Sequence, residues 1–291
     1  EGVAVAERAY QHALEYARTR VQGREIGQRD GDRVTIIHHP DVRRMLMSMK
    51  SQIEAMRALA YLSAAVLDKA KRHPDAAEKR RNQALIDLLT PIVKAWCTEQ
   101  CIEIASTGVQ IHGGMGFIEE TGAAQYLRDA RITTIYEGTT GIQANDLVGR
   151  KVGYEKGATA LALIAQMRKT ITAMHGELDA MGKSSAVGID ALEGATRWIV
   201  DTFPANPNAV AAVAVPYLKL FGFTAGAWMM AQAAMVALAR RKEVGADTVF
   251  YDAKLATARF YCEHILPQAV ALAQSVREGA KSVLALNPDQ F

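Results

Sequence analysis

The feature that most constrains the fold is a series of long segments in which apolar residues recur every three or four positions. Ala, Leu, Met, Glu, Lys and Arg fill these segments, and only 8 of the 291 residues are Pro. Such residues favour the helix, and this spacing puts the apolar ones on one helical face. Few stretches alternate as a strand does. The sequence therefore predicts an all-α protein that begins with an up-down helix bundle.

Gly, Pro and polar clusters divide the first half of the chain into predicted helices. These helices cover residues 2–19, Pro40 to about Lys71, about Asp75 to Thr107, about Glu119 to Asp129, and a segment that starts near Gly141. A glycine-rich charged loop, QGREIGQRDGDRVTII, follows the first helix. Pro91 should kink the third helix. The tract ITTIYEGTTG is the one irregular or β-like stretch.

A polar, glycine-rich segment, GRKVGYEKG, indicates a domain boundary near residues 149–157. We therefore predict a helical domain over residues 1–152 and a second helical bundle over residues 153–291. The helices expected in the second domain cover about residues 158–181, 189–203, 208–241 and 246–278. Breaks between them are expected at MGKSSAVG, FPANPN and EVGAD.

The run over residues 220–239 is long enough to span a bilayer by length alone. Much of its apolar content is Ala and Gly, and Gln232 interrupts it, so we expect a buried helix and not a membrane span. A contact with a membrane surface or within an oligomer is the alternative. The net charge is +3, from 34 basic and 31 acidic residues, which gives no reason to expect a nucleic-acid partner.

Cysteines and histidines show no pattern of a metal or disulfide framework. Cys97 and Cys101 share a helical face, and we expect buried, inert thiols in a reducing compartment. The histidines are scattered without ligand spacing, so no metal site is predicted. The chain lacks a starting methionine and a visible signal peptide, and we expect it to begin inside a larger protein.

Three glycines within four positions stand in the segment QIHGGMGF, residues 110–117. Glycines at this density let a backbone approach a ligand closely. The spacing is not the dinucleotide-binding fingerprint, and no predicted strand precedes it. A helix end followed by a turn accounts for the same residues, and the sequence alone leaves both interpretations open.

Glu137 lies between apolar residues that include Ile135 and Tyr136 and a run of small residues that begins with Gly138. A carboxylate with apolar neighbours can be desolvated and can then act as a general base near neutral pH. A solvated glutamate that precedes a helix and complements its dipole is the alternative. Composition alone favours the alternative.

Four motifs in order carry a family resemblance: YARTRVQGR near the start, QIHGGMGF, RDAR and IYEGT before a helix. The last three match the patterns Q-x-x-G-G-x-G-[FY], R-D-[AS]-[KR] and I-Y-E-G-T. Residues 2–152 thereby resemble the C-terminal helical domain of the acyl-CoA dehydrogenases. Residues 158–291 are similar to the extra helical domain of larger members, particularly the 3-methylmercaptopropionyl-CoA dehydrogenase-like group. The chain departs from the family pattern in an insertion, QRDGDR, and at Gly141, where many members carry Gln.

The resemblance implies an FAD-dependent oxidoreductase that converts an acyl-CoA thioester to a trans-2-enoyl-CoA. Glu137 would remove the substrate's α-proton while the β-hydrogen leaves as hydride to flavin N5. Its backbone N–H and a ribityl hydroxyl would polarise the thioester carbonyl. Gly138 would leave room for the thioester, and Tyr136 would line the acyl pocket. Arg128 and Asp129 are expected to form a structural ion pair near the base.

The resemblance also implies a cofactor site shared between subunits. The residues expected to contact FAD are Arg20 at the diphosphate, Gln110, Gly113 and Gly114 at the adenosine half, Thr139 near the diphosphate or adenine, and Gln143 on the following helix. Sharing of this kind implies a homodimer or a dimer of dimers. The expected electron acceptor is an electron-transferring flavoprotein, in the bacterial cytoplasm or, in a eukaryote, the mitochondrial matrix.

Two other functions remain open from the sequence. An acyl-CoA oxidase would use the same base and flavin but pass electrons to oxygen. A non-catalytic flavin-binding scaffold or DNA-associated relative would not need the base, although the retained Glu137 and the near-neutral charge argue against it. The family's N-terminal helical domain and middle β-domain are not in this chain. We therefore expect the 291 residues alone neither to hold FAD tightly nor to turn over substrate.

Overall fold

The computed structural model describes residues 1–28 and 30–291, and helices joined by short turns make up most of the described chain. The α-helices are α1 (Gly2–Thr19), α2 (Pro40–Arg72), α3 (Ala76–His112), α4 (Gly114–Phe117), α5 (Ala123–Ile132), α6 (Thr140–Asp146), α7 (Ala158–Thr172), α8 (Asp179–Thr202), α9 (Pro207–Ala212), α10 (Ala214–Arg240), α11 (Thr248–Phe260), α12 (Gln268–Glu278) and α13 (Ala280–Val283). Two π-helical turns, Leu147–Gly153 and Tyr261–Ile265, follow α6 and α11. The predicted all-α class is confirmed.

The loop predicted after α1 contains a short paired segment. Val21 and Thr35 form an isolated antiparallel bridge, and Gln22 N–H donates to the Val34 carbonyl at 3.0 Å. The ring of His39 donates through Nε2 to the Gln22 carbonyl at 2.6 Å and ties the start of α2 to this segment. The insertion QRDGDR includes Arg29, which lies outside the described residues.

Helix α3 runs through both of its expected interruptions. The prediction ended this helix at Thr107, but it continues to His112 and includes Pro91. Gly108 sits inside the helix where a Cβ would lie 3.6 Å from the Ala9 carbonyl oxygen. Gly108 thus contacts α1 from inside the helix, and the helix ends at His112, directly before Gly113.

The predicted break at MGKSSAVG is wrong, because residues 181–188 lie inside α8. The small residues pack against neighbouring helices. Ser185 is buried with its hydroxyl 3.7 Å from Cys262 Sγ. A Cβ on Gly188 would lie 2.7 Å from Leu266 Cδ1. In a sequence, a run of small residues is compatible with a turn or with a close contact between helices. Only the packing distinguishes a turn from such a contact.

The chain divides into two compact units. The first comprises residues 1–54 and 97–137, and the second comprises residues 55–96 and 138–291. Their boundaries fall inside α2, inside α3 and after Glu137. These units are not the two domains that the sequence predicts on either side of residue 152. That domain boundary stays a prediction.

An alanine stripe on α1 forms much of the core of the first unit. Its buried members are Ala6, Ala9, Ala13 and Ala17. They recur at spacings of three and four, so one face of α1 presents almost no side-chain bulk. At the helix start, a Cβ on Gly2 would lie 2.9 Å from the Cys97 carbonyl oxygen. The small residues therefore allow α1 to lie directly on α3.

Ionisable groups buried in the first unit are paired or neutral. Lys50 Nζ contacts Glu54 Oε1 at 2.6 Å beside Tyr10, whose pKa is raised mainly by burial. Cys97 and Cys101 are free and buried, and burial raises their thiol pKa values to about 12 and about 11. Thiols of this kind stay protonated at neutral pH and are poor nucleophiles. The prediction of buried thiols is confirmed.

Helix α10 is the centre of the second unit. It is buried along most of its length and contacts α6, α7, α8, α11 and α12. Tyr217 donates or accepts a hydrogen bond with Thr196 at 2.8 Å, and Tyr261 OH donates to the Phe223 carbonyl at 3.1 Å. By length and composition α10 is the one described helix that could cross a membrane, but 78% of its most apolar window is buried inside the protein. A core helix has the same composition, so this is weak evidence for a span.

Candidate active site

The glycine segment in the first unit contains two kinds of glycine. Gly113 has a φ of +61°, and its N–H donates to the Gln110 carbonyl at 3.0 Å, which ends α3. At Gly113 and Gly114 a Cβ would meet nothing within 4 Å, so this backbone is open to an approaching group. Gly116 is buried, and a Cβ there would clash with the Val109 carbonyl. Two glycines are thus available for binding, and the third closes the turn.

A cluster of aromatic and histidine rings lies behind this glycine segment. His112 is only 4% exposed, and its Nδ1 donates to the Gly108 carbonyl at 2.7 Å. Its ring stacks on Tyr16 with centroids 4.4 Å apart and lies 4.5 Å from the ring of His12. Burial lowers the pKa of His112, with a smaller contribution from His12. The cluster therefore holds the neutral imidazole of His112 directly before Gly113.

Acid pH is expected to destabilise the first unit through His112. The unfolded chain takes up a proton at His112 as pH falls through about 6.5, whereas burial keeps the folded imidazole neutral to lower pH. The contribution to stability is complete above about pH 6.5 and declines below it. Thermal unfolding at about pH 7.5 and about pH 5.5 should show a smaller decline for His112→Gln than for the unchanged chain. Equal declines in both would contradict this assignment.

Glu137 lies at the end of a tight turn in the first unit. The turn begins after α5, where the N–H groups of Ile135 and Tyr136 both donate to the Ile132 carbonyl, at 2.9 and 3.2 Å. Glu137 itself has a φ of +54°, one of two positive values outside glycine among the described residues. A non-glycine residue in this left-handed region costs about 1–2 kcal/mol. Backbone strain of this kind motivates a hypothesis of function, although Lys156 has a similar φ of +53°.

The surroundings of Glu137 are apolar but open. Ile135 is 47% exposed and Tyr136 is 38% exposed, and Glu137 is also exposed. The described residues therefore do not supply the desolvation that the sequence suggested for this carboxylate. The neighbouring apolar side chains form an uncovered surface that could line an acyl chain, which is the role expected of Tyr136.

Gly138 and the residues after it belong to the second unit. Gly138 has a φ of +89°, and a Cβ there would lie 2.7 Å from the side-chain nitrogen of Gln143. Thr139 caps α6, since its hydroxyl accepts from the Ile142 N–H at 3.3 Å. Lys94 Nζ donates to the Gly138 carbonyl at 2.6 Å. The turn after Glu137 is thus held by a helix cap and an ammonium group, and the Gln143 side chain lies beside Gly138.

Sequence reasoning missed Lys94. Its only signal is a basic residue within the apolar run LLTPIVKAWC on a predicted helix, and many such lysines merely reach solvent.

Among the expected cofactor residues, Arg20 is exposed at the end of α1, where its carbonyl accepts from the Ile36 N–H at 2.8 Å. The expected Arg128–Asp129 ion pair is wrong. Arg128 pairs with Glu119 at 2.6 Å, while Asp129 accepts from Gln125, because adjacent residues on a helix point in different directions.

Replacement of Gly138 by Ala is expected to slow catalysis in the complete protein. The φ of +89° strains an L-residue by about 1–2 kcal/mol, and relaxation of the turn would move Glu137. Misplacement of a reacting group by about 1 Å costs up to ~100-fold in rate. Turnover on an acyl-CoA should fall by about 10- to 100-fold. Gly141→Ala is the matched control, because its nearest neighbour would be 3.9 Å away; equal activity of both variants would contradict the prediction.

Two family models together cover most of the chain. Residues 1–152 match "Acyl-CoA dehydrogenase, C-terminal domain", and residues 163–287 match "Acetyl-CoA dehydrogenase C-terminal like". With the fold and the turn at Glu137, these matches show that the chain belongs to the acyl-CoA dehydrogenase family.

Individual relatives agree with this assignment. The chain is 44% identical over 291 residues to the 3-methylmercaptopropionyl-CoA dehydrogenase of Ruegeria pomeroyi, covering 98% of this chain and 48% of that protein. It is 30% identical to the broad-specificity linear acyl-CoA dehydrogenase FadE5 of Mycobacterium tuberculosis, covering 100% of this chain and 50% of the relative. The chain thus spans about half the length of these curated relatives.

A solved structure shares the fold. The acyl-CoA dehydrogenase from Bacillus anthracis, complexed with FAD, superposes with a TM-score of 0.72 and 17% identity. The match covers 99% of this chain and 48% of the other. At this identity the likeness shows the fold alone.

Proposed function

We propose that this chain supplies the catalytic base and part of the cofactor site of an FAD-dependent acyl-CoA dehydrogenase. The observation that carries the proposal is the left-handed turn at Glu137–Gly138, which presents a carboxylate beside exposed apolar side chains. A glycine at position 137 would adopt the same φ without this strain.

The proposed chemistry of this chain is removal of a proton from the carbon next to the thioester. The Glu137 carboxylate accepts the α-proton, and its backbone N–H donates to the thioester oxygen, which stabilises the enolate-like transition state. Gly138 keeps the space beside the base free of a side chain, and Tyr136 contacts the acyl chain. Bound FAD supplies the acceptor for the β-hydrogen as hydride. The product is a trans-2-enoyl-CoA.

The residues present fit the FAD group that this proposal requires. Gly113 and Gly114 leave their backbone open, in space that a Cβ would fill. Arg20 is exposed and can pair with a diphosphate. Gln110 is exposed one turn before the open glycines. These residues would hold the nucleotide half of the cofactor. The family resemblance also assigns flavin contacts to Thr139, the N-cap of α6, and to Gln143 within α6.

The substrate class and partners follow from the family. The names of the two relatives refer to 3-methylmercaptopropionyl-CoA and to linear acyl-CoA thioesters. We propose that the complete protein takes a thioester of this class. We further propose a homodimer or dimer of dimers that shares the cofactor, and an electron-transferring flavoprotein as electron acceptor.

Anaerobic mixing of the complete flavoprotein with 3-methylmercaptopropionyl-CoA or butyryl-CoA tests this function. Loss of the oxidised flavin absorbance, with formation of the enoyl-CoA by mass spectrometry, is the expected result. Hydrogen peroxide formed in proportion to product in air would favour the oxidase alternative. Bound flavin with no reduction by any acyl-CoA in a chain-length series would support the non-catalytic alternative.

A further inference from the structure

We propose that Lys94 is a positioning residue that fixes the turn carrying the catalytic base. This inference rests on the proposed role of Glu137 and assigns a function to a side chain on α3 that the family motifs do not include. Lys94 acts through the backbone and does not itself transfer a proton.

The contact itself is short and specific. Lys94 Nζ donates to the carbonyl oxygen of Gly138 at 2.6 Å, across 44 positions of sequence. Gly138 follows the base directly, so the bonded carbonyl lies one residue from the Glu137 backbone. A hydrogen bond from a charged donor is roughly twice as strong as a neutral one. It is strong enough to hold one orientation of the peptide between Gly138 and Thr139.

Helix α3 makes Lys94 a rigid donor. Lys94 is half-buried, and Ile92 and Trp96 on the same helix are fully buried. Burial of the stem limits the number of rotamers, which removes much of the entropy that an exposed lysine would lose on bonding. The ammonium group is therefore placed by the core of the second unit.

The turn needs such a restraint because it is strained. Glu137 and Gly138 have φ values of +54° and +89° in succession. The strain at Glu137 favours relaxation to another backbone conformation. The cap at Thr139 supports the α6 side of the turn. Lys94 is the group that holds the carbonyl of Gly138, so its loss should let the turn relax while α6 stays folded.

Lys94→Met in the complete flavoprotein tests the proposal. This change keeps the apolar stem and removes the donor. We expect flavin reduction by 3-methylmercaptopropionyl-CoA or butyryl-CoA to slow by about 10-fold or more, with full flavin content and KM changed less than about twofold. The kinetic isotope effect with α-deuterated substrate should rise, because a misplaced base makes α-C–H cleavage more rate-limiting. A purely structural role would lower flavin content or thermal stability without changing this isotope effect.

Two further variants control the experiment. Lys79→Met makes the same change near the start of α3 and should leave rate and isotope effect unchanged. Lys94→Arg keeps a charged donor and should recover most of the rate. If Lys94→Met does not accumulate as a flavoprotein, Lys94→Gln decides: a slowed reduction with a raised isotope effect supports the proposal, and a normal rate overturns it.

The outcomes separate this inference from the proposed function. Glu137→Gln is measured in parallel. If Glu137→Gln is inactive while Lys94→Met reduces flavin at the normal rate with a normal isotope effect, Lys94 has no positioning role. If Glu137→Gln is fully active, the assignment of the base fails, and the Lys94 inference fails with it.

Discussion

Replacing Glu137 by Gln in the complete flavoprotein is expected to lower turnover by more than ~100-fold while flavin remains bound. General-base assistance contributes about 10²- to 10⁴-fold in enzymes, and glutamine keeps the size and shape of the side chain without accepting the proton. The measurement is the rate of flavin reduction at saturating acyl-CoA, together with the flavin-to-protein ratio. Near-normal turnover would refute Glu137 as the base.

Stability should separate the chemical role of Glu137 from its backbone strain. The φ of +54° is as costly for glutamine as for glutamate, so Glu137→Gln should not relieve the contribution of this strain to the free energy of unfolding. Glu137→Gly relieves the strain and should raise that free energy by about 1 kcal/mol, while activity is lost. A residue that destabilises the fold and is needed for activity shows the trade-off expected of a functional site. A Glu137→Gly variant less stable than the parent would contradict the strain argument.

Replacing Gly222 by Ala is expected to cause the largest loss of stability. A Cβ at this position would lie 2.5 Å from Trp96 Cδ1, and both residues are buried. The indole is held between α3 and α10 and cannot rotate away as a long flexible side chain could. Overpacking of a tight core costs about 3 kcal/mol at the upper end of the usual range. The thermal midpoint should fall by roughly 6–12 °C.

Gly194→Ala is the matched control for this substitution. Gly194 lies in the interior of α8, and a Cβ there meets nothing within 4 Å. Alanine favours the helix over glycine by about 0.5–1 kcal/mol, so this variant should be slightly more stable than the parent. Calorimetry of the three proteins checks both signs. A Gly222→Ala variant as stable as Gly194→Ala would show that α10 can move away from Trp96.

The helices of the first half were predictable because their apolar periodicity is strong. The bounds of α1 and α2 follow from that pattern, and α2 begins at Pro40 as its fixed backbone angle favours. The errors lie at small residues. The segment over residues 181–188 is predicted as a break between helices, but it lies inside α8, where a Cβ on Gly188 would meet Leu266. A single sequence does not tell a glycine that bends the chain from one that lets two helices touch.

The candidate site was also predictable only in part. Its motifs, QIHGGMGF and IYEGT, identify the family from the sequence, and the open backbone at Gly113 agrees with the binding role they imply. The motifs do not show that Gly116 is a packing residue. They also do not predict that Glu137 is exposed among the described residues, since exposure depends on which chain segments lie against the turn.

The sequence by itself determined the all-α class and named Glu137 as the candidate base, because helical periodicity and local motifs depend on residues that are close in the chain. The tertiary structure alone decided how that carboxylate is held. The bond from Lys94 to Gly138 spans 44 positions, and no local pattern encodes which distant lysine reaches a given carbonyl. The left-handed backbone at Glu137 is equally invisible in the sequence, since a non-glycine residue adopts it only where the surrounding structure outweighs the residue's local preference.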